Sequence, residues 1–399
     1  MLDTSSTAPV RIGIIGLGSA GMLHAQALSD GLVPGAILSA VVSRSGSFPE
    51  PTAPFSSEIA HFETLEALLE ASVCDAVIVA TPHLMHPAQT IAAFAAGCHV
   101  LCEKPASIRL SDAREMAASA LQHDCHYSLN YNRRVVPLYR RLRELVHTGK
   151  IGEMRRVHWT STSWLRVQSY FDTSPWRGTW AGEGGGLLVN QWPHILDLWQ
   201  WICGMPTRLQ AHCAFGRHHN IEVEDEVHIY AEYGRGATVT LVGSTGEAPG
   251  SERIEIVGSR GSIISEGNQL TITTLEMPVE EYIASAQPGF PRPETRVETE
   301  MLDAEGDLVT GITRDFVNVL QSKTPGSLIA PGADGVNGVM LANAVLLSAW
   351  ADGSWIELPL DTAAGAEFDR LLAEKIAGSK PRTARESTIF SLTDSFRKP

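Results

Sequence analysis

The stretch Val10-Arg-Ile-Gly-Ile-Ile-Gly-Leu-Gly-Ser-Ala-Gly21 joins an apolar run to a glycine-rich turn near the start of the chain. The apolar run predicts a buried strand, and the residues after the glycines predict a helix over 22–30. Glycines at this spacing permit a tight turn, let the backbone approach a pyrophosphate, and bring helix and strand together, while the helix N-terminus supplies N–H donors. The predicted dinucleotide-binding residues are Gly16, Gly18, Ser19, Ala20 and Gly21.

Residues 10–128 alternate short apolar runs with helical patterns. The strands predicted after the first are Ile37–Val42, Ala76–Ala80 and a run that ends at Cys102. This alternation is typical of βαβ units, so we predict an α/β fold whose first domain, residues 1–128, is a doubly wound parallel sheet of the Rossmann type. The proline-rich segment 48–54 is predicted to be a loop.

The pattern changes after a helix predicted over 135–147. Longer, partly alternating runs separated by glycine-rich turns predict a mostly antiparallel sheet. These strands are predicted at 155–162, 226–233, 237–242, 253–257 and 270–274. Residues 286–300 are predicted to be irregular, and two helices are expected over 307–321 and 335–350. We therefore predict a second α/β domain over residues 129–399.

The composition limits the classes of function. With 399 residues, 44% hydrophobic and 19% charged, the chain has the make-up of an ordinary two-domain globular protein. A formal net charge of −14 disfavours binding to nucleic acid or to anionic membranes, because either needs a basic surface. The first residues carry no basic residue and no apolar run, and no stretch has the roughly 18 apolar residues of a membrane span. We therefore expect a cytoplasmic protein.

Two groups of residues could in principle bind a metal ion, but the spacing of their residues is weak evidence for a metal site. Cysteines and histidines cluster between residues 98 and 126, but their spacings match no zinc module and the chain has no CxxC pair. The acidic stretch 222–226, preceded by His218 and His219, allows a cation site, although a solvated loop that enters a strand is favoured. We therefore expect reduced thiols and no metal.

The second strand lacks the terminal acidic residue that usually grips the ribose hydroxyls of NAD. Ser43, Arg44 and Ser45 follow it instead, and a guanidinium with two hydroxyls suits a ribose 2′-phosphate. We therefore expect NAD(P) as the cofactor and favour NADP. In the alternative, Arg44 stacks on adenine or is solvated, and the cofactor is NAD.

A second ligand-binding edge is predicted after the strand Ala76–Ala80. Thr81, Pro82 and His83 follow this buried strand, at the edge where open α/β sheets bind ligands. Thr81 and Pro82 are candidate cofactor contacts. His83 either touches the nicotinamide half or the substrate, or has no direct role.

Over about residues 10–350, the chain carries a series of motifs whose order along the sequence resembles that of the Gfo/Idh/MocA oxidoreductases. The motifs are the glycine turn, Ala80-Thr-Pro82 with His86, Ala96-Gly97 with His99-Val100, Glu103-Lys-Pro105, Asn132-Arg-Arg134, Gly149-Lys-Ile-Gly152, and Gly184-Gly-Gly186 through His194-Ile-Leu-Asp197. The resemblance implies a Rossmann domain and an α/β domain whose large, open-faced sheet commonly supports dimers or tetramers. It also implies oxidation or reduction of a sugar or cyclitol carbon with NAD(H) or NADP(H), and we expect a homodimer or homotetramer.

The resemblance implies that Lys104 lies beside the nicotinamide and hydrogen-bonds the reacting oxygen, while Glu103 and the following proline fix its turn. Hydride removal requires loss of the hydroxyl proton, and a lysine made less basic by partial burial can accept that proton. We therefore assign Lys104 as catalytic, with Glu103 and His86 among the cofactor-binding residues. In the alternative, Glu103 and Lys104 form a surface ion pair.

The second catalytic segment is predicted at Gly184–Asp197. If it is one helix after the glycines, Asn190 and His194 share a face, and His194 can act as general acid or base on the oxygen that Lys104 touches. Alternatively, His194 is a core histidine that binds Asp197. The commonest family pattern has aspartate where this chain has Asn190; an amide cannot take a proton but can orient a hydroxyl, so more of the proton transfer falls to Lys104.

Seven of the nine tryptophans lie between residues 159 and 201. Sugar rings present apolar C–H faces that stack on indoles, and arginines can donate to hydroxyls. Core and interface packing is the alternative, expected for at least half of these tryptophans and notably for Trp199 and Trp201. The candidate substrate contacts are His83, Asn190, Trp164, Arg166, Tyr170, Trp176 and Trp180.

Together these features predict an NAD(P)-dependent oxidoreductase that acts on a secondary hydroxyl, or the corresponding ketone, of a sugar or glycoside. The sequence Asn190-Gln followed by Pro-His is similar to a subgroup that acts on pyranosides. An inositol dehydrogenase is the second candidate. A noncatalytic, dinucleotide-responsive binding protein is the alternative from another class, and the presence of both Lys104 and His194 argues against it.

Overall fold

The computed structural model describes residues 8–43, 58–303, 305–322 and 327–380. These residues form two compact units. The first contains residues up to 132 together with 307–339, and the second contains 133–306 together with the described residues from 340 onward. The segment 307–339, which sequence analysis placed in the second domain, thus belongs to the first unit.

A parallel sheet is the centre of the first unit. In the described residues it has six strands in the order β3-β2-β1-β4-β5-β6. The strands are β1 (Val10–Ile15), β2 (Ala36–Val42), β3 (Ala60–Phe62), β4 (Ala76–Val79), β5 (His99–Cys102) and β6 (Tyr127–Leu129). Continuous apolar runs give strands that are buried on both faces, as the adjacent residues Ile14 and Ile15 are here, so the predicted Rossmann-type sheet is confirmed.

A mixed sheet forms the second unit. The described residues supply nine strands in the order β14-β13-β12-β11-β7-β10-β9-β8-β15, and every pair is antiparallel except β7 with β10. The strands are β7 (Met154–Ser161), β8 (Arg208–Phe215), β9 (Glu224–Glu232), β10 (Thr238–Ser244), β11 (Glu252–Gly258), β12 (Gly261–Glu266), β13 (Gln269–Leu275), β14 (Thr295–Met301) and β15 (Ile356–Glu357). The predicted mostly antiparallel sheet is confirmed.

Twelve α-helices occur within the described ranges. They are α1 (Ser19–Ser29), α2 (Leu65–Ala71), α3 (His86–Ala95), α4 (Leu110–Gln122), α5 (Pro137–His147), α6 (Gln168–Asp172), α7 (Leu187–Asn190), α8 (Pro193–Cys203), α9 (Val279–Ser285), α10 (Gly311–Gln321), α11 (Gly335–Trp350) and α12 (Thr362–Gly378). Short 3₁₀ turns lie at His83–Met85, Asn132–Val135 and Gly332–Asp334. Of the helices described, none has the length and apolar character needed to cross a membrane.

Backbone pairing explains why residues 307–339 belong to the first unit. Ser128 forms an antiparallel bridge with Pro331, and the Leu129 N–H donates to the Ala330 carbonyl over 3.1 Å. On α10, the Arg314 guanidinium donates to the Leu32 carbonyl over 2.7 Å. The returning segment therefore extends the edge of the parallel sheet at β6.

Four strands of the second sheet were not predicted. β8, β12 and β15 fall in stretches to which no structure was assigned, and β14 lies within residues 286–300, where the prediction of an irregular segment is wrong for Thr295–Met301. The predicted loop 48–54 lies outside the described residues. α5 forms as predicted because its apolar residues share one face, which packs against α8.

Candidate active site

The glycine turn between β1 and α1 fits a bound pyrophosphate. Gly16 has φ +93°, and a side chain there would meet the Ala80 carbonyl oxygen at 2.9 Å. A side chain at Gly21 would lie 1.9 Å from the Gly16 carbonyl oxygen, so this glycine lets helix and strand approach closely. Gly18 faces open space, since no described atom lies within 4 Å of the point where a side chain would begin, and it starts α1 without a side-chain cap. The first N–H groups of α1, at Ser19 and Ala20, are therefore suited to phosphate oxygens.

The sheet order places this turn at the expected ligand-binding edge. The strand order reverses between β1 and β4, and in parallel sheets the crevice at such a reversal, at the carboxyl ends of the strands, is the ligand site. The glycine turn follows β1, Thr81 comes shortly after β4, and Glu103 follows β5. All three predicted segments therefore lie at the same edge of the sheet.

Glu103 is the centre of a buried hydrogen-bond network beside Lys104. Its Oε1 lies 3.0 Å from His24 Nε2 and accepts a bond from Asn130 Nδ2 over 2.7 Å. Its Oε2 accepts the Lys104 backbone N–H over 3.3 Å. Burial favours the neutral form, but the bonds from His24 and Asn130 and the charge of Lys104 outweigh it and lower the pKa of Glu103 to about 2. The turn that presents half-buried Lys104 is therefore held by an ionised carboxylate.

His86 connects two turns at this edge. Its ring is completely buried, with Nδ1 2.8 Å from the Pro105 carbonyl oxygen and Nε2 2.9 Å from the Thr81 carbonyl oxygen. Burial lowers the pKa of His86. The His86 ring thus connects the Thr81 turn to the lysine turn and has no exposed surface.

Of the remaining predicted residues of the first unit, Thr81, Pro82 and His83 lie near His86, Ser43 follows β2, and one lies outside the described residues. Thr81 Oγ1 donates to Gln89 Oε1 over 2.5 Å, and Pro82 begins the 3₁₀ turn that carries His83. The His83 ring is buried at an edge-on angle to His86, with ring centroids 5.9 Å apart. Ser43 follows β2 directly, whereas Arg44 lies outside the described residues.

In the second unit, a buried glutamate organises the triple-glycine turn. Glu224 Oε1 accepts the backbone N–H groups of Gly186 and Leu188 over 2.9 and 3.0 Å, at the start of α7. A side chain at Gly186 would lie 2.0 Å from the Glu224 carbonyl oxygen, so the close approach requires glycine. Burial is the main cause that raises the pKa of Glu224 to about 7, and the charge of Glu183 adds to it.

The predicted continuous helix through Asn190 and His194 is wrong. α7 ends at Asn190 and α8 begins at Pro193. Proline has no N–H to continue the helical ladder, and the first helix stops before it, although Gln191 and Trp192 keep right-handed helical backbone. Asn190 therefore ends one helix, and the buried His194 lies in the first turn of the next.

Asn190 lies in a polar group with two residues from earlier in the chain. Its Nδ2 forms a short hydrogen bond to Glu183 Oε1 and a second bond to Tyr170 Oη over 3.3 Å. Glu183 is 1% exposed, and its Oε2 accepts the Gly178 N–H over 2.7 Å. The structure thus brings the predicted residues Asn190 and Tyr170 together around a carboxylate that sequence analysis did not select.

Aromatic and guanidinium groups surround Tyr170. The guanidinium carbon of Arg177 lies 4.4 Å from the centre of the Tyr170 ring and that of Arg166 lies 5.2 Å from it, and Arg177 also lies 5.2 Å from the centre of the Trp176 ring. Trp164 donates to Ser161 Oγ over 2.9 Å. Its carbonyl accepts from Arg166 over 3.4 Å, which connects Trp164 to the same group.

Trp180 packs elsewhere. Its ring lies 6.0 Å from Phe215 and 5.6 Å from Trp350, and Lys375 Nζ is 5.5 Å from it. The structure therefore places this predicted substrate contact in a separate aromatic cluster with α11 and α12. Core packing accounts for further tryptophans, as expected: Trp199 is fully buried and donates to a tyrosine hydroxyl over 2.9 Å.

Asp197 is part of a buried ion pair. Its carboxylate accepts two bonds from Arg134, over 2.9 Å from Nε and 2.6 Å from Nη2, and both side chains are 1% exposed. Gln200 donates to the same carboxylate over 3.1 Å. Bidentate pairing fixes the orientation of both groups. The pair anchors the chain that enters α5 to the middle of α8.

The acidic stretch 222–226 is not the solvated loop that was favoured. Glu224 and Asp225 are buried, and β9 begins at Glu224. Asp225 accepts the backbone N–H groups of Arg217, His218 and His219 and contacts the His219 ring. Within the described ranges, no group of three or more histidine, cysteine or acidic side chains is arranged to hold a metal ion.

Both units match models of one protein family. Residues 10–131 match a model of an oxidoreductase family with an NAD-binding Rossmann fold, and residues 139–264 match the GFO/IDH/MocA C-terminal domain. Together these matches cover more than half of the chain. The chain belongs to the Gfo/Idh/MocA family. The resemblance seen in the sequence motifs, and the two-sheet α/β fold that it implied, are thereby confirmed.

Relatives within the Gfo/Idh/MocA family have several named substrates. An inositol 2-dehydrogenase from Leifsonia xyli is 30% identical over 203 residues, which are 51% of this chain and 56% of that protein. A D-glucoside 3-dehydrogenase from Escherichia coli is 29% identical over 212 residues, which are 52% and 57% of the two chains. The match therefore spans little more than half the length of either relative.

A solved structure matches at greater length. The WlbA dehydrogenase from Chromobacterium violaceum, in complex with NADH and UDP-GlcNAcA, has a TM-score of 0.71 and 26% identity. The match covers 89% of this chain and 98% of that structure. The match thus extends along nearly the whole of that solved structure.

Sequence analysis missed four residues of the two polar networks. His24 lies in the helix after the glycine turn, and Asn130 follows β6, one strand away from Glu103. Asn130 carried a signal that could have been used, because it follows a short apolar run at the carboxyl edge of the sheet. Glu183 and Glu224 gave no local signal, since only the folded chain brings Glu183 to Asn190 and Glu224 to the triple-glycine turn.

Proposed function

We propose that this chain is a dehydrogenase that transfers a hydride between a nicotinamide dinucleotide and a sugar or glycoside carbon that carries a secondary hydroxyl or the corresponding ketone. The observation that carries this proposal is the network of Glu103. One buried carboxylate ties the Lys104 turn to α1, the helix that begins in the glycine turn. The dinucleotide turn and the lysine turn are thereby held in one fixed arrangement, as coupled binding and proton transfer require.

The proposed chemistry divides the work among the chain's own groups. The backbone of the glycine turn binds the pyrophosphate, and Thr81 and Pro82 contact the nicotinamide half. The bound cofactor supplies the hydride acceptor or donor at C-4 of the nicotinamide. Lys104 accepts the hydroxyl proton during oxidation and returns it during ketone reduction.

The second unit is proposed to orient the substrate. His194 acts as general acid or base on the oxygen that Lys104 contacts, a pairing that rests on the family resemblance. Asn190 binds a neighbouring hydroxyl, and the group around Tyr170 contacts the ring through aromatic faces and guanidinium donors. A site of this kind suits a pyranose ring with several hydroxyls, and the similarity to a D-glucoside 3-dehydrogenase supports a glycoside.

An inositol dehydrogenase is the second proposed function, supported by the similarity to an inositol 2-dehydrogenase. The two functions are separated by following reduction of the cofactor by its absorbance near 340 nm with a panel of methyl glycosides, free sugars and inositols. Turnover of glycosides supports the first proposal. Turnover of inositols alone would replace it with the second.

The cofactor is proposed to be NAD(P), with NADP favoured because Ser43 and Arg44 follow β2 where an acidic residue would repel a 2′-phosphate. Arg44→Ala should raise the KM for NADP⁺ about tenfold or more, since a charged hydrogen bond to phosphate is lost, and should change the KM for NAD⁺ little. Equal effects on both cofactors would assign Arg44 to adenine stacking instead.

The role of Lys104 is tested with Lys104→Met, which keeps the length and removes the amine. We expect kcat to fall about 10²- to 10⁴-fold, the usual contribution of a positioned acid or base, with the Kd for the cofactor changed little. Lys150→Met, on the other unit and paired at the surface with Glu298, is the matched control. If the wild-type protein binds cofactor but turns over no polyol, and Lys104→Met binds equally, the noncatalytic binding protein is the better explanation.

Two further properties remain predictions. We propose a homodimer or homotetramer, as the family resemblance implies, and a cytoplasmic location. Sedimentation velocity of the purified protein tests the first of these directly.

A further inference from the structure

Glu183 is a buried carboxylate whose two oxygens have separate partners. Oε2 accepts the Gly178 N–H over 2.7 Å, and Oε1 accepts the short bond from Asn190 Nδ2. The loop that carries Glu183 is fixed by its own backbone, since the Glu183 N–H donates to the Thr179 carbonyl over 3.0 Å. A carboxylate that is 1% exposed on a fixed loop is costly to bury, and its retention here calls for a function.

The partners of Asn190 determine which way its amide faces. An ionised carboxylate only accepts hydrogen bonds, so the atom of Asn190 that meets Glu183 must be the NH₂ group. The same nitrogen donates to Tyr170 Oη over 3.3 Å. With the amide nitrogen directed to these two residues, the acceptor atom of the amide, Oδ1, is on the other branch of the side chain.

We infer that Glu183 is a positioning residue for the substrate: it holds the Asn190 amide so that Oδ1 accepts a hydrogen bond from a hydroxyl of the sugar ring, and the Glu183–Asn190 pair thereby replaces a single carboxylate at position 190. This inference rests on the proposed function and specifies how that site selects a hydroxyl donor. An aspartate at position 190 would place a negative charge next to the substrate. The Glu183–Asn190 pair keeps a hydrogen-bond acceptor at position 190, and the negative charge is on Glu183 instead.

Two guanidinium groups belong to the same polar group as Glu183. Arg166 and Arg177 both lie over the ring of Tyr170, whose hydroxyl accepts from the Asn190 amide that also binds Glu183. The negative charge of Glu183 is one cause of the raised pKa of Glu224, so the nearby second carboxylate takes up a proton more readily. One negative charge in this region is therefore favoured over two.

Glu183→Gln reverses the polarity of the pair. If the glutamine oxygen keeps the bond from the Gly178 N–H, its NH₂ group meets Asn190, and the Asn190 amide must turn over to accept. Asn190 then presents a donor to a substrate hydroxyl that requires an acceptor. We expect kcat/KM to fall about 10- to 100-fold, as for a lost hydrogen bond in a buried site, with the Kd for the cofactor unchanged.

The double variant E183Q/N190D restores the acceptor. The NH₂ group of the introduced glutamine donates to one oxygen of the introduced aspartate, and the other oxygen accepts from the substrate. We expect kcat/KM to return to within about tenfold of the wild-type value, because the pair again presents an acceptor to the substrate. Asn190→Asp alone places two carboxylates in contact, and its kcat/KM at pH 8 should be at least about tenfold below the wild type, because like charges at this distance repel strongly.

The experiment compares these variants on the best substrate of the glycoside and inositol panel, with cofactor Kd and thermal midpoint measured in parallel. The matched control is Glu222→Gln. The Glu222 carboxyl accepts bonds from the Trp180 N–H, the Ser379 hydroxyl and the Lys380 N–H, so this substitution is expected to leave kcat/KM within about twofold. Wild-type-level activity of Glu183→Gln or of Asn190→Asp at pH 8 would overturn the inference while leaving the proposed function intact.

A loss in Glu183→Gln that the double variant fails to recover would also overturn it, because Glu183 would then act only as a loop support. If Glu183→Gln does not fold, the result for Asn190→Asp decides. Absence of any turnover by the wild type overturns the proposed function, and the inference with it.

Discussion

The buried carboxyl of Glu224 gives a prediction about stability and pH. Glu224→Gln keeps an oxygen that can accept the N–H groups of Gly186 and Leu188 and removes the ionisable group. The second oxygen, Oε2, is buried and has no hydrogen-bond partner among the described residues. The substitution therefore isolates the cost of ionising Glu224 inside the second unit.

The pKa of Glu224 gives the sign and the size of its contribution to the unfolding free energy. Burial raises the pKa of Glu224 from its ordinary value of 4.5 to about 7, so the folded protein holds this proton more tightly than the unfolded chain does. The stabilisation is complete below pH 4.5 and is lost as the pH rises through 7. The difference between these pKa values corresponds to roughly 3 kcal/mol of unfolding free energy.

The assay is urea unfolding of the wild type and Glu224→Gln at intervals from pH 4 to pH 8. Because all other groups are shared, the difference between the two proteins isolates residue 224. We expect Glu224→Gln to gain stability relative to the wild type by roughly 3 kcal/mol over this range. Glu66→Gln, at an exposed position on α2, is the control for a Glu→Gln substitution at the surface. A stability difference between Glu224→Gln and the wild type that does not change with pH would contradict this prediction, because Glu224 would then ionise at an ordinary pH.

Two further predictions concern buried charges. Asp197→Asn leaves the buried Arg134 charge uncompensated and should lower the unfolding free energy measured in urea by about 3–5 kcal/mol. The double variant Asp197→Leu with Arg134→Met removes both charges and should recover most of this loss. A loss below about 1 kcal/mol in Asp197→Asn would show that the pair is not desolvated. Glu103→Gln acts with the opposite sign to Glu224→Gln: the pKa of Glu103 is lowered to about 2, so its stabilisation is present above pH 4.5 and lost as the pH falls through 2. The Glu103→Gln deficit should be roughly 3 kcal/mol at pH 7 and should shrink on acidification to pH 3; a deficit independent of pH would contradict the assigned charge.

The parts of the fold that the sequence predicts are those with a local pattern. β1 and β4 are continuous apolar runs, and the glycine turn after β1 has a spacing that serves one purpose. β14 could not be found this way, because Thr295–Met301 is a largely exposed edge strand with polar residues at most positions. The return of 307–339 to the first unit depends on pairing with β6, which no local pattern reveals.

The candidate site divides in the same way. Lys104 and Asn190 were found through motifs, whereas Glu183 and Glu224 are acidic residues that a sequence alone assigns to the surface. They differ from surface carboxylates only in being buried and in their bonds, which Glu183 makes to Asn190 and Glu224 to the triple-glycine turn. The helix break at Pro193 was readable in principle, since proline at that position cannot continue a helix.

Isotope transfer tests most directly whether the proposed hydride passes from a sugar carbon to the nicotinamide. The purified protein is incubated with NAD⁺ or NADP⁺ and a methyl glycoside fully deuterated at its ring carbons, and the reduced cofactor is examined by proton NMR. We expect one deuterium at C-4 of the dihydronicotinamide, on one face, and much less label with Lys104→Met. Reduced cofactor without deuterium at C-4, or no reduced cofactor with any glycoside or inositol, would contradict it.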